Sequence, residues 1–143
     1  MTHQTYLAQF IRRFETLTPE SVDQLAALYS NDAYFKDPFN EVRGHSAITG
    51  IFGHMFKQVD KPRFVVKNRI VRDDQAFIVW DFTFQTKGSR TAGQCIHGSS
   101  YLCFDPDGRV NYHRDYWDAA EELYEKVPLL GSLMRFLKRR VMI

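Results

Sequence analysis

Cysteine is scarce in this chain. There are two, Cys95 and Cys103, in one apolar run. They fall on one face of a predicted strand, too far apart along it to bond to each other. No disulfide framework is expected, and the thiols read as reduced side chains of a cytoplasmic protein. Net charge is also small, at +2. The only basic cluster is Arg135, Lys138, Arg139 and Arg140 near the C-terminus, which argues against a nucleic-acid partner. No apolar run approaches the ~20 residues of a membrane span, and the N-terminus lacks the basic-then-apolar pattern of a secretory signal. Repeats, low-complexity segments and linkers are absent, as are a Gly-rich phosphate loop and a nucleophile elbow. A metal site is not expected either, since no third ligand stands beside His113 and Asp115.

What the chain does have is aromatic residues, 15% of 143, within a hydrophobic content of 44%. That suffices for one globular domain with one sizeable core. The richest stretch is Cys95–Trp117, two apolar-aromatic runs around Asp105-Pro106-Asp107-Gly108. Pro and Gly in such a tetrad mark a tight turn, so the stretch is predicted to be a long β-hairpin. Alternation on its second arm places Asn111, His113, Asp115 and Trp117 on one face. Pairing Phe104 with Arg109 sets Ser100 opposite His113 and Gly98 opposite Asp115. Small residues facing polar ones leave the room a pocket wall needs.

Upstream, Leu7, Phe10, Ile11 and Phe14 have helical spacing. Thr18-Pro19 starts a second predicted helix that runs to about Tyr29, with Asn31-Asp32 as its stop. Pro38 fixes an extended or turn conformation at Asp37. Ser46 is the expected cap of a third helix carrying Ile48, Ile51, Phe52, Met55 and Phe56 inward. After Asp60-Lys61-Pro62 the period becomes two, predicting strands over 63–72, 76–87, 91–104 and 109–117 joined by short turns. Asp118 caps a short helix over 119–126, and an amphipathic tail follows from about Leu130 to Val141. The expected fold is α+β, three N-terminal helices on one face of a curved, mostly antiparallel sheet, with a ligand cavity between. The domain is expected to span 1–127 and the helical tail 128–143. The tail's apolar face is expected to pack on the domain or on a second copy, a reading preferred to contact with an anionic membrane surface. The opposite sheet face, with Tyr101, Cys103, Tyr112 and Tyr116, suggests a homodimer.

The order of elements, with FKDPFNEVRGHSAI (Phe35–Ile48) and FDPDGRVNYHRDYWD (Phe104–Asp118), resembles the SnoaL-like branch of the nuclear transport factor 2-like superfamily, to which ketosteroid isomerase, the polyketide cyclases and limonene-epoxide hydrolase belong. The resemblance implies a cone-shaped fold and a dimer. It puts Asp37 where the isomerase has its general base, and Asp115 where the cyclases and the epoxide hydrolase have a catalytic aspartate. His113 and Trp117 match pocket-lining positions. The isomerase's Tyr on the first helix and its acid on the third sheet strand are not matched: the chain has Phe10–Phe14 and Ser100 there. The epoxide hydrolase's Arg and Asp meet Gly98 and Ser100.

The catalytic candidates are Asp37, His113 and Asp115. An imidazole beside a desolvated carboxylate suits proton transfer, although a satisfied core histidine and a turn aspartate look the same in sequence. Phe14, Phe52, Phe56, Trp80, Ser100 and Trp117 are the expected ligand contacts. His45 is expected at the surface and His97 on the far sheet face. Two functions remain open: cofactor-free acid–base chemistry on a small apolar, carbonyl-bearing or cyclic molecule, and non-catalytic binding of a ligand or protein.

Overall fold

The computed structural model describes residues 2–86, 93–122 and 128–142. Helix α1 (His3–Glu15) starts at Thr2, whose hydroxyl accepts from the Thr5 amide, and buries Leu7, Phe10, Ile11 and Phe14. Thr18 and Ser21 form a reciprocal capping box with Pro19 in the first turn. The expected second helix is much shorter than its pattern. Helix α2 (Val22–Leu25) lies between single 3-10 turns, and strand β1 (Tyr29–Lys36) begins where the helix was expected to end. Asn31 and Asp32 lie inside that strand, where its register shifts. The alternation of buried Tyr29, Ala33 and Phe35, and a parallel ladder with a distant strand, outweigh the turn preference of the two residues.

After β2 (Glu41–Arg43) comes α3 (His45–Gln58). Gly44, not Ser46, is its N-cap. The φ of 97° at Gly44 lies in the region side chains disfavour. There its amide donates to the Ala33 carbonyl at 2.8 Å, tying helix to sheet. Strands β3 (Val59–Arg72), β4 (Gln75–Thr86), β5 (Gln94–Phe104) and β6 (Val110–Tyr116) follow. Asp60-Lys61-Pro62 lies in β3 at a register shift, so it bends an edge strand and does not precede it. Residues 87 and 91, expected strand ends, lie outside the described residues.

One six-stranded sheet results, in the order β2-β1-β6-β5-β4-β3. Only β1 with β6 is parallel. The helices cover one face, and the core is the layer between. Across the hairpin Ser100 faces Asp115 and Leu102 faces His113, two residues from the expected register. Phe104 pairs with Val110 and Cys103 with Tyr112, so Asn111 is an extra residue on β6.

Helix α4 (Ala119–Glu122) starts at Asp118, whose carboxylate accepts from the Glu121 amide. Helix α5 (Pro128–Val141) has Pro128 as its first residue and Gly131 inside it. On the apolar face expected to pack on the domain or on a second copy, Leu133, Phe136, Leu137 and Val141 are exposed in the single chain.

Candidate functional site

Strand β6 carries His113 and Asp115 on its helix-facing side, and the ladder sets Ser100 across from Asp115. One strand further, Trp80 lies opposite Gly98. A Cβ on Gly98 would come within 2.4 Å of the Trp80 ring, so the glycine lets the indole lie against β5. Trp80 Nε1 donates to Ser100 Oγ at 2.8 Å. The Ser100 hydroxyl donates to Asp115 Oδ1 at 2.5 Å. His113 Nε2 meets the same oxygen at 2.6 Å, and Tyr29 Oη lies 2.8 Å from His113 Nδ1. Donors and acceptors all match when the imidazole carries its proton on Nε2, Tyr29 donates to Nδ1, and Asp115 is a carboxylate. Both donors to Asp115 use Oδ1; no donor among the described residues is bonded to Oδ2.

Tyr29, His113 and Ser100 are buried, whereas the Asp115 side chain keeps 15% of its surface exposed. Burial, and secondarily the Asp115 charge, hold the Tyr29 hydroxyl well above its ordinary pKa of 10.0. It therefore remains a donor to His113. The raised value makes a pH prediction. An unfolded tyrosine releases its proton from about pH 10 upward, while the folded one keeps it. Stability should fall as pH rises through that window, by at most about 1.4 kcal/mol per pH unit. Tyr29→Phe should lose this alkaline slope. Near neutral pH it should also cost about 1–3 kcal/mol by leaving Nδ1 without its donor. Urea melts of both proteins at neutral and alkaline pH check this; equal slopes would refute it.

Asp115 borders a cavity of about 750 Å³ between α3 and the sheet. Asp37, Phe52, Trp80 and Trp117 line it too, with Phe39, Phe64 and Phe82. On its inner side Asp115 also borders a recess of about 20 Å³, the size of one water molecule, with Phe14, Ser100 and His113. A second opening of about 510 Å³ runs past Asp115 and Trp117 towards Lys36 and Asp118. Phe56 lines none of these and packs against the core.

Asp37 sits at the cavity wall but is engaged by its own turn. Its Oδ1 accepts from the amides of Phe39 at 2.8 Å and Asn40 at 2.7 Å, and the Asn40 side chain reaches both carboxylate oxygens. His45, at the first position of α3, is half-buried, and its Nε2 donates to the Tyr29 carbonyl at 2.7 Å. Tyr29 was missed because the sequence assigned it to a helix stripe. A tyrosine among fully apolar core positions is the available signal, since its hydroxyl needs a partner.

On the far sheet face Asp81, Cys95 and His97 each offer a ligand atom within 4.8 Å of the others. Asp81 Oδ1 and His97 Nδ1 are 2.6 Å apart. Two ligands of a tetrahedral zinc sit about 3.4 Å apart. The pair is therefore a direct hydrogen bond, with Lys67 Nζ 3.9 Å from Asp81.

The architecture has close counterparts among solved structures. A candidate SnoaL-like polyketide cyclase from Shewanella putrefaciens superposes with a TM-score of 0.72 at 15% identity, over 90% of this chain and 98% of its own. A protein with a ketosteroid isomerase-like fold from Catenulispora acidiphila, in complex with trimethylamine, gives 0.71 at 14%, over 82% and 88%. An NTF2-like protein of unknown function from Burkholderia pseudomallei gives 0.70 at 15%, over 85% and 95%. At such identities these likenesses show the fold alone. No curated protein matches the chain. The SnoaL-like domain family matches residues 9–113, most of the chain and the segment from α1 to His113, and to that SnoaL-like family the protein belongs.

Proposed function

We propose that the protein binds a small apolar molecule in the cavity between helices and sheet, anchored by a hydroxyl or protonated amine that donates to Asp115. The observation that carries this is a carboxylate whose donors among the described residues all use one oxygen, at the wall of an aromatic-lined cavity of about 750 Å³. Aromatic faces attract cations as well as apolar groups. The Catenulispora protein of the same fold is in complex with trimethylamine, a small base of that kind.

The finer reading is cofactor-free acid–base chemistry on a carbonyl-bearing or cyclic substrate. Asp115 would take a proton from a carbon next to the carbonyl and return it to the same or a neighbouring carbon. His113 and Ser100 would hold the carboxylate in place. Non-catalytic binding is the alternative, and one observation favours it. The protons of Trp80, Ser100 and Tyr29 are all used within the network, so none of these groups is left to meet charge on a substrate oxygen.

Fluorescence titration with β-naphthol and its methyl ether tests the anchor. The naphthol should bind at least about ten-fold more tightly, since the ether cannot donate. Equal affinities would refute the role of Asp115. Deuterium exchange into cyclohexanone, followed by NMR, separates the two finer readings. Exchange faster than buffer alone supports catalysis, and exchange at the buffer rate supports binding alone.

A further inference from the structure

We propose that helix α5 is an anchor for anionic bilayer surfaces. Every side chain described in the helix, Ser132, Leu133 and those of 135–141, is exposed. Leu133, Phe136 and Leu137 leave 52%, 48% and 49% of their surface open, and Val141 79%. These four share one helix face, because their spacing matches one and two turns. Arg135, Lys138 and Arg139 project from the opposite side. Arg140 lies within the arc of the stripe, between Phe136 and Leu133 around the helix, with its guanidinium 5.5 Å from the Phe136 ring. A long cationic side chain so placed covers apolar surface with its stem and lifts its charge to the rim.

The charge pattern identifies the occupant. Residues 128–143 hold four cations and no acid, although the whole chain stands at only +2. The tail is thus cationic and the rest net acidic. The helix dipole accounts for cations in the last turn, but not for Arg135 or for an uncovered stripe. An apolar stripe with a cationic back is the pattern that lies in the plane of an anionic membrane, stripe down among the acyl chains. Among the described residues no helix is long and apolar enough to cross a membrane, so the contact is with the surface. The proposal does not rest on the ligand reading, but it would bring the cavity to a source of apolar molecules.

Flotation of the full-length protein with vesicles tests it. The protein should float with phosphatidylcholine vesicles containing about one third phosphatidylglycerol and stay behind with phosphatidylcholine alone. Each cation near an anionic surface is worth about five-fold in partition, so replacing Arg135, Lys138, Arg139 and Arg140 together by Gln should reduce binding by about 100-fold or more. Leu133→Glu with Phe136→Glu should also abolish it, with an unchanged melting temperature and sedimentation mass. Failure to float with anionic vesicles overturns the proposal, as does equal flotation with both kinds. A Leu133→Glu/Phe136→Glu protein that melts earlier or changes mass without lipid also overturns it, because the stripe is then a protein contact.

Discussion

Asp115→Asn should produce a folded protein that no longer distinguishes β-naphthol from its methyl ether. Asparagine keeps the shape of the side chain. Its carbonyl oxygen can take the place of Oδ1, where Ser100 donates at 2.5 Å and His113 Nε2 at 2.6 Å. Those two donors leave no choice of orientation, so the amide nitrogen must take the place of Oδ2. An acceptor at the cavity becomes a donor, and a ligand hydroxyl loses a charge-assisted bond. Such bonds contribute about 1.5–3 kcal/mol, so naphthol affinity should drop by about ten-fold to 150-fold. The ether should bind as before, because the apolar lining is untouched. Any catalysed exchange into cyclohexanone should fall by roughly 100-fold or more, since the amide cannot take the proton. A mutant that binds naphthol within two-fold of the wild-type value would remove Asp115 from the ligand site. A mutant that fails to fold would show that the network needs the charge itself, a result Asp115→Glu would not imitate.

Much of this site was legible because strand geometry forgives certain errors. The hairpin register was misplaced by two residues, yet a slip of two keeps every side chain on its face. His113, Asp115 and Ser100 therefore met as expected on the helix-facing side, although with different partners. Half of the slip arises at the turn, where Phe104 pairs with Val110 in place of Arg109, and half from Asn111 as an extra residue in β6, which leaves no local signature. Tyr29 was illegible for a different reason. Its partner His113 is 84 residues away, and they meet only because β1 joins β6 in parallel. Helix spacing over Val22–Tyr29 offered a local answer, and the long-range ladder overruled it. At Asp37 local chemistry was the better guide. An aspartate before a turn tends to bond its own backbone, and here it does so at 2.8 and 2.7 Å. The tail's amphipathic pattern was plain, but periodicity says only that a face is apolar, not what covers it.

The first test of the support beneath the network leaves all of its polar groups in place. Gly98→Ala should destabilise the protein by about 2–4 kcal/mol, although a methyl group is all it adds. The new Cβ would lie 2.4 Å from one Trp80 ring carbon and 2.8 Å from two others. The indole has nowhere to retreat: it is 5% exposed, its edge meets Phe64 at 5.7 Å between ring centres, and Nε1 is bonded to Ser100. Relief requires either a strained strand pair or a displaced ring. Displacing the ring breaks the bond to Ser100 and leaves a buried N–H unpaired. Overpacking costs about 1–3 kcal/mol, and the orphaned donor costs about the same again. For a domain of this size the melting temperature should fall by roughly 7–13 °C. Gly53→Ala is the control, since a Cβ at that helical position meets nothing within 4 Å. It should leave stability unchanged or raise it by up to about 1 kcal/mol. The decisive comparison is Gly98→Ala combined with Trp80→Phe. Phenylalanine lacks the outer ring carbons that the new methyl would strike, so the double variant should melt above Gly98→Ala alone, a negative coupling of about 1 kcal/mol or more. Simple addition of the two losses would mean that Gly98 is small for some other reason than to seat the indole over Ser100.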